Sequence, residues 1–170
     1  MTTGGQAALA LWVDIDPADQ TLFEHWHSHE HVQERVGCPG WLRGSRFKGV
    51  DTPERYFLFY DAEAPSAFES DEYFARLGNP TEMSRAIFPK FRDTWRTVCT
   101  VEQRWGDGIG AAVLTLRMTA GNTASFDTLA GLETARVDLL AGQANIGQVH
   151  TAEKDLRAAP ASSRARTCSR

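Results

Sequence analysis

The stretch RYFLFYDA, residues 55–62, decides the fold of this 170-residue chain. Its central run, YFLFY (56–60), is aromatic and apolar, as is typical of a buried β-strand. Successive side chains of a strand point to opposite faces of the sheet, and neither alternate set in this run is polar. The run LALWV (9–13) has the same property. Both strands therefore need cover on both faces of their sheet.

The elements around these runs follow the order β-α-β-β-α-β. Asp16 and Pro17 are typical of a helix start, Gly37 of a helix end, and Asn79 of a cap where a helix restarts. The predicted elements are a strand over 7–16, a helix over 17–36, hairpin strands over 41–50 and 55–62, a helical stretch over 65–89 and a strand over 95–105. This order predicts an α+β, ferredoxin-like sheet with helices on one face. The doubly apolar strands predict a second sheet on the other face, as in the barrel that a homodimer forms.

The second half repeats part of this pattern. After a glycine-rich linker at 106–110, the sequence predicts a strand over 111–118, a helix over 125–141 and a strand over 146–152. We therefore divide the chain into a ferredoxin-like domain (1–105), the linker, a partial second repeat (111–152) and a tail (153–170). The tail lacks large apolar residues beyond Arg157 and is expected to be mobile. The incomplete repeat also supports the hypothesis of a truncated two-repeat ancestor.

Composition excludes several classes of protein. With 42% hydrophobic and 24% charged residues, the chain falls in the globular range. A formal net charge of −4 favours neither nucleic acid nor an anionic membrane as partner, and the apolar runs are too short to span a bilayer. Residues 1–6 lack the features of a signal peptide. The odd, widely spaced Cys38, Cys99 and Cys168 indicate free thiols in a reducing cytoplasm.

A family resemblance rests on the segment HSHEHVQERVGCPG (27–40) and the following WLRGSRF (41–47). This region resembles the first helix and second strand of the dimeric α+β barrel superfamily, and within it the EthD-like bacterial proteins. The shared features are, in order, Trp26, His27, His31 and the pair Pro39-Gly40. The likeness covers about residues 8–105. Because the superfamily includes monooxygenases, lactone isomerases, polyketide cyclases and haem enzymes, the resemblance implies a fold and a small-molecule ligand rather than one reaction.

Four histidines fall within residues 25–31. At 100° per residue on a helix they form two pairs on different sides, His25/His29 and His27/His31. Amphipathicity alone predicts that the first pair lies on the buried side with Trp26. The resemblance implies instead that the second pair faces the cleft, with His31 foremost. We adopt the second prediction, because a helix covered by a sheet and a neighbouring subunit can have two buried arcs.

Three interpretations of this cluster remain open. The histidines can be surface or interface residues without a chemical task. His31 can transfer protons, oriented by Glu30 or Glu34 and with His27 nearby, because an imidazole titrates near neutral pH. The third interpretation is a metal or haem site at His27, His31 and Glu34, spaced i, i+4 and i+7. No established metal motif is present, so we predict no metal ligands.

Two neighbouring strands add candidate cleft residues. Arg43 is predicted to share a face with Trp41 and Phe47, where it would meet a carboxylate or enolate; an ion pair at the dimer edge is the alternative. Tyr56 and Tyr60 share a face of the next strand and can donate hydrogen bonds into a cleft, although packing alone also explains them.

Together these residues predict a cofactor-independent enzyme of isomerase, cyclase or monooxygenase type that acts on a small aromatic, polyketide-like or lactone compound. The predicted catalytic residues are His31, Glu30, Arg43 and Tyr60, and the predicted ligand contacts are Trp26, His27, Trp41 and Tyr56. His31 would transfer the proton, while Arg43 and Tyr60 would stabilise the developing negative charge. The alternatives are a non-catalytic binding or interaction module and a metal- or haem-binding barrel. A titratable dyad inside the apolar cleft would favour the enzyme over the binding module.

Overall fold

The computed structural model describes residues 4–52, 54–118, 134–146 and 149–158. Its strands are β1 (Ala7–Asp14), β2 (Trp41–Lys48), β3 (Arg55–Ala62), β4 (Arg92–Trp105) and β5 (Val137–Gly142). Its helices are α1 (Gln20–Trp26), α2 (Val32–Val36), α3 (Asp71–Gly78), α4 (Glu82–Ile87) and α5 (Ala152–Ala158). A π-helical turn, His27–His31, joins α1 to α2. Short 3-10 turns precede α1 and α3 and follow α4; these are, in order, Pro17–Asp19, Pro65–Glu69 and Phe88–Lys90.

One sheet holds all five strands, in the order β2-β3-β1-β4-β5, and every neighbouring pair is antiparallel. The first four strands have the order that the β-α-β-β-α-β pattern predicts, and β1 and β3 lie at the centre. Leu9 of β1 is paired with Tyr60 of β3 on one side and with Val98 of β4 on the other. The predicted α+β, ferredoxin-like fold is confirmed.

Two helix starts differ from their predictions. The first α-helix begins at Gln20 because Pro17–Asp19 forms a 3-10 turn, and the Asp16 side chain makes no capping hydrogen bond. At the restart, the cap is Thr81 and not Asn79. The Thr81 hydroxyl accepts a hydrogen bond of 3.0 Å from the backbone N–H of Ser84, which satisfies one donor of the first turn.

The second half departs further from the predicted repeat. The predicted strand over 111–118 is wrong, since these residues have no strand pairing. The predicted helix over 125–141 is wrong at its end, where β5 forms, and residues 119–133 lie outside the described part of the chain. The last five residues of the 14-residue β4 extend beyond its pairing with β1, and β5 pairs along the other, free edge of β4 from Cys99 to Trp105.

The predicted strand over 146–152 is also wrong, because its described residues form no strand and a helix begins at Ala152. The segment AEKDLRA (152–158) is rich in strong helix formers, which explains α5. Part of the tail expected to be mobile is therefore an ordered helix. The remainder of that tail lies outside the described residues.

The apolar side chains on the two faces of the sheet are buried to different extents. On the helix face, the alternate side chains of β1 and β3 are buried: Leu9, Leu11, Val13, Tyr56, Leu58 and Tyr60. The opposite surface, which we call the far face, is formed by Trp12, Phe47, Phe57, Phe59 and Trp95. Residues 111–118 cover part of it: the Trp12 indole donates to the Thr115 hydroxyl at 3.3 Å, and Arg117 lies 4.1 Å from the Trp95 ring centroid. Trp95 is still 43% exposed.

The cysteines and the length of the helices can also be read from the structure. Cys38 and Cys99 are free, buried thiols, and burial raises the pKa of each. In the ranges that the structure covers, no helix has both the length and the apolar character needed to cross a bilayer.

Gly44 of β2 allows the Tyr60 ring to lie against the sheet. A Cβ at position 44 would stand 2.7 Å from Tyr60 Cε1 and 3.1 Å from a methyl of Val32. Because the Tyr60 ring is buried and cannot move freely, we expect Gly44→Ala to lower the free energy of unfolding by about 1–3 kcal/mol. Urea denaturation followed by circular dichroism measures this change.

Gly78, the last residue of α3, provides the control. A Cβ at this position would meet no described atom within 4 Å. Gly78→Ala should therefore leave stability unchanged or raise it slightly. Equal effects of the two substitutions would contradict the close-approach argument.

Candidate functional site

The π-helical turn His27–His31 determines which histidines face the core. His27 and His31 are 2% and 5% exposed, whereas His25 and His29 are exposed and stack on each other at the surface. A π turn holds more residues than an α turn, so the 100° rule misplaces the side chains that follow it. Trp26 and the His27/His31 pair consequently all point inward. The structure brings these three predicted site residues together.

His27 forms the first polar contact between the helix layer and the sheet. Its Nε2 lies 3.0 Å from the hydroxyl oxygen of Tyr60 on β3, and both side chains are buried. Burial, followed by the nearby charge of Arg46, lowers the pKa of His27 to about 3. Burial also raises the pKa of Tyr60. The two groups are therefore neutral at neutral pH, and the tautomer of His27 decides which of them donates.

His31 lies one turn further along, against an aromatic wall. Its ring centroid is 4.2 Å from that of Trp26, whose indole N–H donates to the Ser84 hydroxyl at 3.0 Å. His31 Nδ1 is buried and has no hydrogen-bond partner among the described residues. Burial, and next the charge of Arg35, holds the pKa of His31 well below its usual value. An unpartnered buried nitrogen costs about 1–3 kcal/mol, which marks this position as unusual for a purely structural residue.

Arg35 continues the line of His27 and His31 at the same four-residue spacing. It is 3% exposed, and its guanidinium donates to the Glu153 carboxylate of α5. Arg157 donates to the other oxygen of Glu153 at 3.1 Å and lies 4.5 Å from the Phe88 ring centroid. Sequence reasoning missed these residues, although the i, i+4 spacings of 31/35 and 153/157 place each pair on one helix face.

Tyr73 and Trp41 complete the aromatic lining. The Tyr73 ring lies 5.6 Å from the Arg35 guanidinium carbon and 4.9 Å from the Trp41 ring. Trp41 also contacts the Tyr60 ring at 5.5 Å, while its indole N–H donates to the Ala67 carbonyl at 3.1 Å. Next to this cluster a cleft of about 20 Å³ remains between α3, β4 and α5, room for about one water molecule. The site is thus almost filled by the chain itself.

Glu30 serves a different part of the helix layer from the one predicted. Its carboxylate accepts hydrogen bonds from the Thr81 hydroxyl at 2.5 Å and the Ser84 hydroxyl at 3.4 Å. These bonds connect the π turn to α4. The Ser84 hydroxyl also accepts a hydrogen bond from the indole of Trp26, so Glu30 is linked to the site through Ser84. We therefore assign Glu30 the role of positioning Trp26 rather than of orienting His31.

Arg43 is not brought to His31. A register shift between Trp41 and Arg43 breaks the alternation of β2, so the prediction that these two residues share a face is wrong. Trp41 faces the helices, whereas Arg43 lies on the far face and donates to the Asp61 carboxylate at 2.7 Å. Asp61 also accepts from Arg136, which completes an ion-pair network away from the cleft.

Tyr56 shares the helix face with Tyr60, as predicted, but stands at the other end of the layer. Its hydroxyl donates to the Glu24 carboxylate at 2.6 Å, and burial together with this bond raises its pKa. This pairing joins α1 to the sheet next to Phe23, whose ring centroid lies 4.8 Å away. The geometry thus gives Tyr56 a structural partner outside the His31 cluster.

The metal interpretation gains no geometric support. Within the described ranges, no group of three or more His, Cys, Asp or Glu side chains is placed to hold a metal ion. Of the predicted facial set, His27 faces the Tyr60 hydroxyl, and burial raises the pKa of Glu34. A carboxyl group has to lose its proton before it can bind a cation, and a raised pKa shifts that step to higher pH.

Comparison with known proteins gives a likeness of fold. No protein-family model and no curated protein matches the chain. Among solved structures, it is similar to SnoaB, a cofactor-independent oxygenase from Streptomyces nogalater, at 11% identity, covering 57% of this chain and 93% of that one, with a TM-score of 0.44. It is also similar to the haem degrader MhuD from Mycobacterium tuberculosis, solved with two haems in its active site, at 17% identity, 57% and 96% coverage and a TM-score of 0.43. Chemistry is therefore argued from the residues of this chain alone.

The buried histidines should make stability depend on pH. Unfolded His27 titrates near pH 6.5, whereas its folded pKa is about 3, so between these values only the unfolded state binds the proton. Stability attributable to His27 is fully present above pH 6.5 and is lost as the pH falls. We expect the difference in unfolding free energy between wild type and His27→Gln to drop by nearly 1.4 kcal/mol per pH unit between pH 5.5 and 4.

Urea denaturation at half-unit intervals of pH measures this slope. Glutamine keeps a side chain able to bond Tyr60 but does not titrate. His25→Gln, on the exposed face of the same helix, should follow the wild-type curve at every pH. If the His27→Gln curve runs parallel to the wild type as well, His27 is not held neutral by the fold.

Proposed function

We propose that this protein is an enzyme that transfers a proton on a small aromatic, polyketide-like or lactone compound, as an EthD-like member of the dimeric α+β barrel superfamily. One observation carries the proposal: a titratable pair, His27 and Tyr60, and a neutral His31 lie together inside an aromatic cluster. A module that only binds a ligand needs no such groups. Perturbed pKa values combined with an unpartnered polar atom are typical of functional sites.

In the proposed reaction His31 is the base. A C–H bond next to a carbonyl breaks, its electron pair forms an enolate, and the proton goes to the unpartnered Nδ1 of His31. Burial makes His31 a weak base in the ligand-free protein. A negative charge that forms beside it raises its affinity for a proton. The Tyr60 hydroxyl donates a hydrogen bond to the enolate oxygen, and Arg35 supplies the positive charge that the sequence had assigned to Arg43.

Isomerase, cyclase and monooxygenase reactions can all begin with this step, since each can proceed from an enolate or phenolate. The aromatic walls formed by Trp26, Trp41, Tyr73 and Phe88 match a flat, unsaturated substrate. Trp26 is held by Ser84 and thereby presents its ring face rather than its N–H to the cluster. This arrangement favours stacking over hydrogen-bond recognition of the substrate body.

Exchange of acidic C–H protons tests the proposal without knowledge of the natural substrate. Wild-type protein in D₂O should speed deuterium incorporation next to the carbonyl of 2-tetralone or α-angelica lactone, followed by ¹H NMR. We expect His31→Ala to reduce the protein-dependent rate by about 10²–10⁴-fold and Tyr60→Phe to reduce it less. His25→Ala, in the exposed pair, should retain the wild-type rate.

Two results would contradict the proposed function. The first is wild-type exchange no faster than buffer with either compound, and the second is a His31→Ala rate equal to that of wild type. Circular dichroism and urea denaturation of each variant establish that a lost rate does not reflect unfolding.

We also propose that the far face forms the interface of a homodimer. Trp12 stacks on Trp95 at 5.1 Å and contacts Phe57 at 4.7 Å, so the aromatic rings form one continuous surface. Residues 111–118 cover only part of it and themselves expose Leu114 and Leu116. Trp95 is exposed and the other four rings of the far face are partly exposed, and a contiguous apolar patch of this kind is typical of a protein–protein interface. A second copy, presenting the same surface, completes the barrel predicted from the doubly apolar strands.

Light scattering at micromolar concentration tests the dimer. The expected mass is about twice the 18.8 kDa of the chain. Trp95→Lys places a charge on the far face and should shift the protein toward the monomer. Leu22→Lys introduces the same charge at a similarly exposed position on α1 and should leave the dimer intact. A wild-type monomer would instead favour closure of the far face by the second half of the same chain.

A further inference from the structure

Two guanidinium groups share a single carboxylate beside the proposed catalytic cluster. Arg35 and Arg157 each donate to a different oxygen of Glu153, and Glu153 is only 2% exposed. Arg35 Nη1 and Arg157 Nε have no hydrogen-bond partner among the described residues. The cluster therefore has an excess of positive charge and of unused donors in a largely dry environment, which is unfavourable unless another anion is bound there.

The third buried feature at this position is the imidazole of His31. The charges of Arg35 and Arg157 are among the causes that lower its pKa, after burial. Arg96 adds another cation to the edge of the cleft, where it donates to the Tyr73 hydroxyl at 3.4 Å. An anion bound to Arg35 would thus satisfy its free Nη1 donor and at the same time make His31 a stronger base.

The helix that carries Glu153 is held by few apolar contacts. In α5 the buried side chain is Glu153 itself, while Leu156 is only partly buried against the core. A helix of seven residues is marginal without tertiary contacts. The adjoining cleft of about 20 Å³ has no room for an organic molecule, so a ligand that reaches Arg35 has to take the place of Glu153.

We propose that Arg35 binds the carboxylate of an aromatic acid, and that Glu153 occupies this place in the ligand-free protein. Displacement of α5 removes Glu153 and Arg157 together. Before displacement, Arg35 and Arg157 share one carboxylate. Afterwards Arg35 forms a single ion pair with the ligand, in which two N–H groups of its guanidinium donate to the two carboxylate oxygens. The planar body of the acid then lies between Tyr73 and Trp26, next to His31. Only this last placement rests on the proposed function.

Titration with 1-naphthoate, followed by tryptophan fluorescence, tests the anion site on the full chain. Glu153→Gln should bind 1-naphthoate at least tenfold more tightly than wild type, because the internal competitor has lost its charge. Asp155→Asn removes a charge from an exposed position of the same helix and should change the affinity less than twofold. Arg35→Gln should weaken binding at least tenfold, and neutral 1-naphthamide should bind at least tenfold more weakly than the acid.

Hydrogen exchange on the wild-type protein gives a second readout that needs no variant. Saturation with 1-naphthoate should accelerate exchange of the backbone amides of α5. Protection of α5 by the ligand, equal affinity of wild type and Glu153→Gln, or equal binding of acid and amide would each overturn the proposal. Because these measurements require no turnover, they are independent of proton exchange on 2-tetralone. Naphthoate binding without that exchange would refute the reaction and leave the anion site standing.

Discussion

Strand β3 imposes the constraint on which the rest of the structure depends, because neither of its faces can be left to water. Its even-numbered side chains are buried under the helices, and Phe57 and Phe59 form the middle of the far face. Only one polar atom of the central run enters the helix layer close to the candidate site, the hydroxyl of Tyr60. A buried hydroxyl requires a partner, and His27 of the π turn supplies it. The candidate site is thus built around the hydrogen bond that this strand needs.

The first half of the fold could be predicted because local and global signals agree there. Alternation places the strands, Pro and Gly mark the helix ends, and the β-α-β-β-α-β order has one common topology. The second half was misjudged because its signals are weak and short. The run VDLLAG (137–142) fits a strand or a helix equally well by composition. What decides between them is the free edge of β4, which no local window of sequence can show.

The candidate site was predictable only in part, for geometric reasons. Helical spacing and the family resemblance located His27 and His31, but the π turn that orients them has no clear sequence signal. The register shift in β2 moved Arg43 to the far face in the same unforeseeable way. Arg35 and Glu153 are separated by 118 positions in the chain, and their pairing depends on where α5 packs. Contacts of this kind follow from the tertiary fold rather than from spacing.

The charges explain how the proposed site would be inactive in the ligand-free protein. With α5 in place, burial and the neighbouring guanidinium groups lower the pKa of His31. The imidazole therefore stays neutral and is a weak base near neutral pH. Arg35, which does not belong to α5, can stabilise a negative charge that arrives or forms beside it. In the proposed function, a substrate anion therefore brings with it the condition under which His31 would become an effective base. Recognition and proton transfer are then two consequences of one electrostatic arrangement, and neither requires a change in the sheet.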